Sequence, residues 1–183
     1  MLDLARLRLA LVATGEAGLR RLAALDAAGA GTLAVFAPDG GAALAAEAGG
    51  RLVPRLPGDA ELAAAQLVFI AGLAPELRDR IAARARACGA IVHAEDAPAL
   101  SDAAATSVLR RGNLTIAVST SGRSPALAVA VRNLVGRVIG PDWAARLEQA
   151  ASHRRQWRAA GLTPAEVARR TGAWLAQTAG RNP

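Results

Sequence analysis

The chain has 183 residues, 52% of them hydrophobic and 20% charged, which is the composition of a folded globular protein with one domain plus an extension or two small domains. Its apolar runs are broken by Arg, Asp, Glu or Gly before the roughly 18 residues a membrane helix needs. A single cysteine, Cys88, excludes an internal disulfide and a cysteine-cluster metal site, and two histidines, His93 and His153, are too few for zinc without several carboxylates.

The net charge of +7 is unevenly spread. Residues 1–100 hold 10 Arg against 11 acids, a balance of −1, whereas residues 101–183 hold 12 Arg against 4 acids, a balance of +8. With aromatics at 3%, no basic run is interleaved with stacking side chains, so the basic half points to an anionic small molecule rather than nucleic acid.

In chain order, the opening MLDLARLRLALVATG mixes acid and base and leads into a strand, not a secretory leader, so a soluble cytoplasmic protein without membrane partners is the expectation. Strands are predicted at Leu7–Val12, Thr32–Phe36, Leu67–Ala71, Ala90–His93 and Leu114–Ser119, with a weaker one at Arg51–Val53. Helical stretches alternate with them, as in GLRRLAALDAAGA, where Leu19, Leu22 and Leu25 share a face and Gly29 ends the helix. This alternation predicts an α/β fold, a Rossmann-like parallel sheet covered by helices. Beyond Ser124 only helices are expected, the last opened by a capping box of Thr163, Pro164 and Glu166.

Three loops carry the candidate chemistry. In LVATGEAGLRR, Gly15 and Gly18 sit where a dinucleotide site needs a tight turn and close backbone approach; a purely structural turn fits equally well. Asp39, in FAPDGG after the second strand, stands at the place of a ribose-binding acid, or is a solvated turn residue. IVHAEDAPALSD ends a strand with His93, Glu95 and Asp96, acids placed at a strand edge to act as bases or metal ligands, or simply to cap a turn. In AVSTSGRSPALA, Ser124 before Pro125 opens a helix whose free N–H groups suit an anion, although an ordinary strand-to-helix connection reads the same way.

The order LVATGEAGLRRLAALDAAGA, VFAPD, LVFIAG, IVHAEDAP, LTIAVSTSGRSPALAVAVR resembles the precorrin-2 dehydrogenase / sirohydrochlorin ferrochelatase family of siroheme synthesis, over about residues 3–160. The resemblance implies an NAD-binding Rossmann-like domain over 1–112, a dimerisation segment over 113–141 and a small helical region over 142–183. It implies NAD-dependent oxidation of precorrin-2 to sirohydrochlorin by a homodimer, with ferrous iron inserted by some members as a second substrate and no resident metal.

Carried over by position, Gly15, Glu16 and Ala17 fall on the pyrophosphate turn, Ala37 and Pro38 beside the adenosine, and Asp96 on the catalytic aspartate. Ser119, Thr120, Ser121, Gly122, Arg123 and Ser124 form the substrate loop, with Thr120 at a serine that is phosphorylated in some members. The eight carboxylates of the tetrapyrrole give Arg110, Arg111, Arg123, Arg132, Arg154, Arg155 and Arg158 a partner.

The sequence also departs from the family. Its triple glycine is Ala13-Thr14-Gly15, its Thr-Asp-Asp after the β-strand at 67–71 is Gly72-Leu73-Ala74, its following Asn is Arg78, the Asn three residues before the catalytic acid is His93, and a Phe and a Pro further on are Ala103 and Thr106. These departures keep open a tetrapyrrole carrier that has lost NAD. The STSGRS turn keeps open a sugar-phosphate-binding protein.

Overall fold

The computed structural model describes residues 2–39 and 41–179. They divide into two compact units, Met1–Ala105 and Thr106–Pro183.

The first unit runs β1 (Arg8–Ala13), α1 (Gly15–Ala27), β2 (Thr32–Phe36), α2 (Ala42–Ala48), β3 (Leu52–Val53), α3 (Asp59–Ala64), β4 (Leu67–Ala71), α4 (Pro75–Ala87) and β5 (Ile91–Ala94). The five strands form one parallel sheet in the order β3-β2-β1-β4-β5. β1 is central and buried on both faces, which is why LALVA reads as a continuous apolar run rather than an alternating one. Its side chains still alternate between two cores. Leu9, Leu11 and Ala13 pack with Leu22 and Leu25 of α1 and Leu44 of α2, while Ala10 and Val12 pack with Leu62 of α3 and Ile81 and Ala85 of α4.

The outer edge of β5 is covered by the segment that follows it. Asp102 N donates to Val92 O (2.8 Å), Val92 N donates to the Asp102 carboxylate (3.0 Å), and Ser101 Oγ both donates to Ala94 O and accepts from Ala94 N (3.0 Å each). This leaves little open ladder for another chain to join.

The second unit holds β6 (Ser107–Arg111), β7 (Leu114–Val118), α5 (Pro125–Val138), α6 (Trp143–Ala159) and α7 (Pro164–Ala179). Here the structure corrects the sequence reading. Leu114–Val118 does not extend the parallel sheet; it pairs antiparallel with β6, a strand not expected from the sequence, in the register Arg111↔Leu114. Gly112 takes φ +55 at the first position of the two-residue turn, as a tight hairpin requires. The expected helix starts hold: Ser124 Oγ accepts from Leu127 N (3.2 Å), and Thr163 and Glu166 exchange bonds as a capping box. Residues 180–183 at the end of the helical region lie outside the described residues.

Candidate active site

In an open parallel sheet the ligand crevice lies at the C-terminal ends of the strands, where the chain order reverses. Here that point is between β1 and β4. Gly15 begins α1 at φ +58 with nothing within 4 Å of where a Cβ would stand, so backbone conformation, not space, calls for glycine. Gly18 answers the other need: a Cβ there would meet the Ala13 Cβ at 2.9 Å, so its absence lets α1 lie close on β1.

Thr14 joins the two strand ends. Its N–H donates to Ala71 O (3.1 Å) and its hydroxyl to Gly72 O (2.6 Å). Gly72 has φ +72, and a Cβ on it would lie 2.3 Å from Thr14 O. The threonine side chain is therefore directed at the β4 turn. The N–H groups of Gly15, Glu16 and Ala17 find no acceptor among the described residues, and together with the helix dipole they fit a pyrophosphate. Beyond β2, Ala37 is fully buried and Pro38 and Asp39 are exposed; Asp39 Oδ1 accepts weakly from Gly41 N (3.4 Å). Gly40 of this turn lies outside the described residues.

At the end of β5, Asp96 is exposed and takes φ +56, a left-handed conformation costly for most residues but tolerated by aspartate. The strand's alternation puts His93 and Glu95 on one face, that of α1. Glu95 Oε1 lies 3.6 Å from Arg21 Nη2, and the Arg21 guanidinium sits 5.8 Å over the Phe69 ring, itself 5.5 Å edge-on from His93. His93 is buried, its Nδ1 is 2.8 Å from Ala103 O, and burial holds its pKa below the usual histidine value. Arg21 went unnoticed in the sequence. The signal for it was the spacing that puts Leu22 and Leu25 inward on α1 and leaves Arg21 beside them at the rim.

In the second unit, the hydroxyls of the STSGRS loop mostly bond within the loop. Ser119 Oγ accepts from Ser121 N (3.1 Å), Thr120 Oγ1 donates to Ser124 O (2.9 Å) and accepts from Ser124 N (3.1 Å), and Ser124 caps α5. Ser121 (φ +52) and Gly122 (φ +76) turn the chain, leaving Arg123 exposed.

The arginines fall into distinct groups. Arg111 donates to Ile139 O and Gly136 O at the end of α5 and is employed as a helix cap. Arg110, Arg154 and Arg155 are exposed, and Arg132 is half-buried. Arg154 and Arg158 line a groove of about 540 Å³ between α6 and α7, floored by Pro164, Val167, Ala168 and Thr171. Among the described residues no three His, Cys, Asp or Glu side chains converge as metal ligands, and no helix is long and apolar enough to cross a membrane.

Comparison with known proteins gives this geometry its setting. A family profile described as "Putative NAD(P)-binding" matches residues 1–107, and one described as sirohaem biosynthesis protein central matches residues 111–137. Siroheme synthases from Pseudomonas putida and Azotobacter vinelandii are 39% and 36% identical over 128 residues, 68% of this chain. Those matches span 27% of the relatives' length. In three dimensions the chain aligns with SirC, a precorrin-2 dehydrogenase, at a TM-score of 0.72 and 18% identity, over 98% of this chain and 89% of that one.

Proposed function

We propose that this chain, which belongs to the NAD(P)-binding family matched over residues 1–107 and continues into a sirohaem biosynthesis central segment at 111–137, oxidises precorrin-2 to sirohydrochlorin, passing a hydride to NAD. The observation that carries the reading is the latched β1–β4 edge: three N–H groups with no acceptor among the described residues at the start of α1, with Asp96 in a left-handed backbone position after β5, two strands away.

In this reading Gly15, Glu16 and Ala17 receive the pyrophosphate, and Ala37 and Pro38 flank the adenosine. Asp39 accepts from the ribose hydroxyls and would repel a 2′-phosphate, which is our ground for NAD over NADP. The nicotinamide, when bound, supplies the hydride acceptor. Asp96 takes the proton that the macrocycle loses, and its exposed position lets that proton pass on to solvent.

Ser119–Ser124, with the exposed Arg123 guanidinium, binds carboxylates of the tetrapyrrole in the second unit. Ferrous iron is a further substrate of the same proposal. A homodimer is supported by α5, which packs on β6 and β7 with one side while Leu127, Leu134 and Val138 stay 55%, 57% and 73% exposed on a helical stripe. The lone Cys88 and the reduced substrate suit a cytoplasmic setting.

Anaerobic turnover of Asp96→Asn beside wild type tests the reading at its central residue. Asparagine also tolerates the left-handed conformation, so folding should persist while turnover falls by about 10² to 10⁴-fold. Unchanged sirohydrochlorin formation would remove Asp96 from the reaction.

A further inference from the structure

The Asp96 carboxylate makes no hydrogen bond or ion pair with any described residue, so its direction is set by the backbone that carries it. That backbone is a four-residue turn, Ala94–Ala97. Ala97 N donates to Ala94 O (3.3 Å), and Asp96 stands third in the turn with φ +56. A left-handed residue other than glycine persists where its surroundings fix it. Here they do so from both sides. Toward the sheet, Glu95 N donates to Ile70 O of β4 (2.9 Å).

The other side is held by one hydroxyl. Ser101 Oγ shares its proton between Ala94 O (3.0 Å) and Ala97 O (3.1 Å) and accepts from Ala94 N (3.0 Å), so it bridges the first and last residues of the turn. The chain between is compact. Pro98–Leu100 makes a single 3-10 turn, in which Leu100 N donates to Ala97 O (3.0 Å) and Ser101 N to Pro98 O (3.1 Å).

Ser101 is itself fixed from behind. Its neighbour Asp102 accepts from Val92 N (3.0 Å) and from Arg86 Nε of α4 (3.0 and 3.1 Å), while Arg86 Nη2 donates to Leu100 O. Arg86 therefore grips the chain on both sides of Ser101. Covering the edge of β5 accounts for the bonds to Val92 and Ala94. It does not account for the bond to Ala97 O, which lies beyond the end of the strand.

We propose that Ser101, backed by the Arg86–Asp102 pair, is a positioning residue that aims the Asp96 carboxylate at the macrocycle. The inference rests on the reading above in which Asp96 takes the proton.

Anaerobic steady-state kinetics of Ser101→Ala, Ser101→Thr and Asp96→Asn beside wild type test it, with NAD affinity followed by calorimetry. In Ser101→Ala the turn is released, and kcat should fall about 10- to 10²-fold, as expected when a reacting group is displaced by about 1 Å. The KM for precorrin-2 and the NAD affinity should stay at their wild-type values. Threonine keeps the hydroxyl and suits the extended backbone of Ser101 (φ −104, ψ 126), so Ser101→Thr should recover most of the lost turnover.

Wild-type kcat in Ser101→Ala would overturn the inference, as would no recovery in Ser101→Thr. A joint loss of kcat and NAD affinity would also overturn it, because a general loosening of the first unit would then be the cause. Where Ser101→Ala does not fold, Arg86→Gln loosens the same loop from its exposed end and should lower kcat severalfold at unchanged KM; unchanged kcat there would overturn the inference. Wild-type turnover in Asp96→Asn would remove the reading of Asp96 and the inference with it. Slow Asp96→Asn beside a fully active Ser101→Ala would remove the inference alone.

Discussion

The two units of this chain are built on opposite terms. In the first, the sheet is buried between two helical layers, and apolar side chains such as Leu11, Val12, Leu22, Ile70 and Ile81 are closed off from water. In the second, Ala128 and Val167 are the buried apolar residues among those described, and the large apolar side chains of α5 are left exposed. A parallel sheet has no other stable arrangement, because its crossovers cover both faces. A two-stranded hairpin with helices encloses little by itself. The first unit therefore holds nearly all of the apolar side chains closed off from water among the described residues, whereas the second leaves large apolar side chains at its surface.

Truncation of the two kinds of leucine would expose this difference most sharply. Leu11→Ala, at a fully buried position, should cost about 2 to 5 kcal/mol of unfolding free energy in denaturant titration, while Leu134→Ala should stay within about 0.5 kcal/mol. Leu134→Asp should instead appear in sedimentation as a loss of self-association, with a melting temperature that no longer depends on protein concentration. Comparable destabilisation by the two alanine variants at a concentration where the protein is monomeric would mean that α5 is buried in the folded monomer.

Gly72→Ala comes next. The added Cβ would lie 2.3 Å from Thr14 O in a left-handed backbone position, so the β1–β4 latch must open, and both melting temperature and NAD affinity should fall. Thr14→Val is a milder probe of the same latch. It leaves the 2.6 Å bond to Gly72 O unmade and should cost about 1 to 3 kcal/mol. Thr163→Ala, in the second unit, should cost about 1 kcal/mol by removing the cap of α7, seen as fraying in amide exchange there and not in the sheet.

Acid should separate the units by a smaller margin. His93 has a folded pKa held below its ordinary 6.5, first by burial, so its unfolded form binds a proton sooner. The contribution is complete above pH 6.5 and declines as pH falls through the lower folded value. Glu61, drawn down to about 2 chiefly by its bonds from Arg55, and Asp102, drawn down chiefly by Val92 N–H, hold their stabilisation above the ordinary carboxylate range and lose it as pH falls below that range. Glu166, held down first by Thr163 N–H, does the same in the second unit. Amide exchange against pH should therefore show the sheet loosening below pH 6.5, ahead of α7, and His93→Asn should bring the two onsets together.

Much of the sheet was legible because buried parallel strands leave uninterrupted apolar runs: β1, β2 and β4 lie within a residue of where the sequence put them. Helix starts at Ser124 and Thr163 were legible because a hydroxyl before proline does one job at a helix terminus. β6 was missed because SVLRR is short, arginine-rich and half-exposed; the Gly112-Asn113 turn between alternating segments was its signal. Of the candidate site, the glycine turn at Gly15 and the acidic loop at Asp96 were legible as strand-end loops, while the roles proposed for them came from the family resemblance. The work of Thr14 was not legible, since its partner Gly72 is 58 residues away and only the sheet brings them together. The Arg21–Glu95 pair was hidden for the same reason.

The most direct test of the account is anaerobic incubation of the wild-type protein with precorrin-2 and NAD, followed for NADH and sirohydrochlorin together, with ferrous iron added afterwards. The account predicts NADH and sirohydrochlorin rising in equal amounts, and no NADH when precorrin-2 is left out. Tight tetrapyrrole binding with no NADH formed would contradict it and leave a carrier that has kept the fold without the reaction.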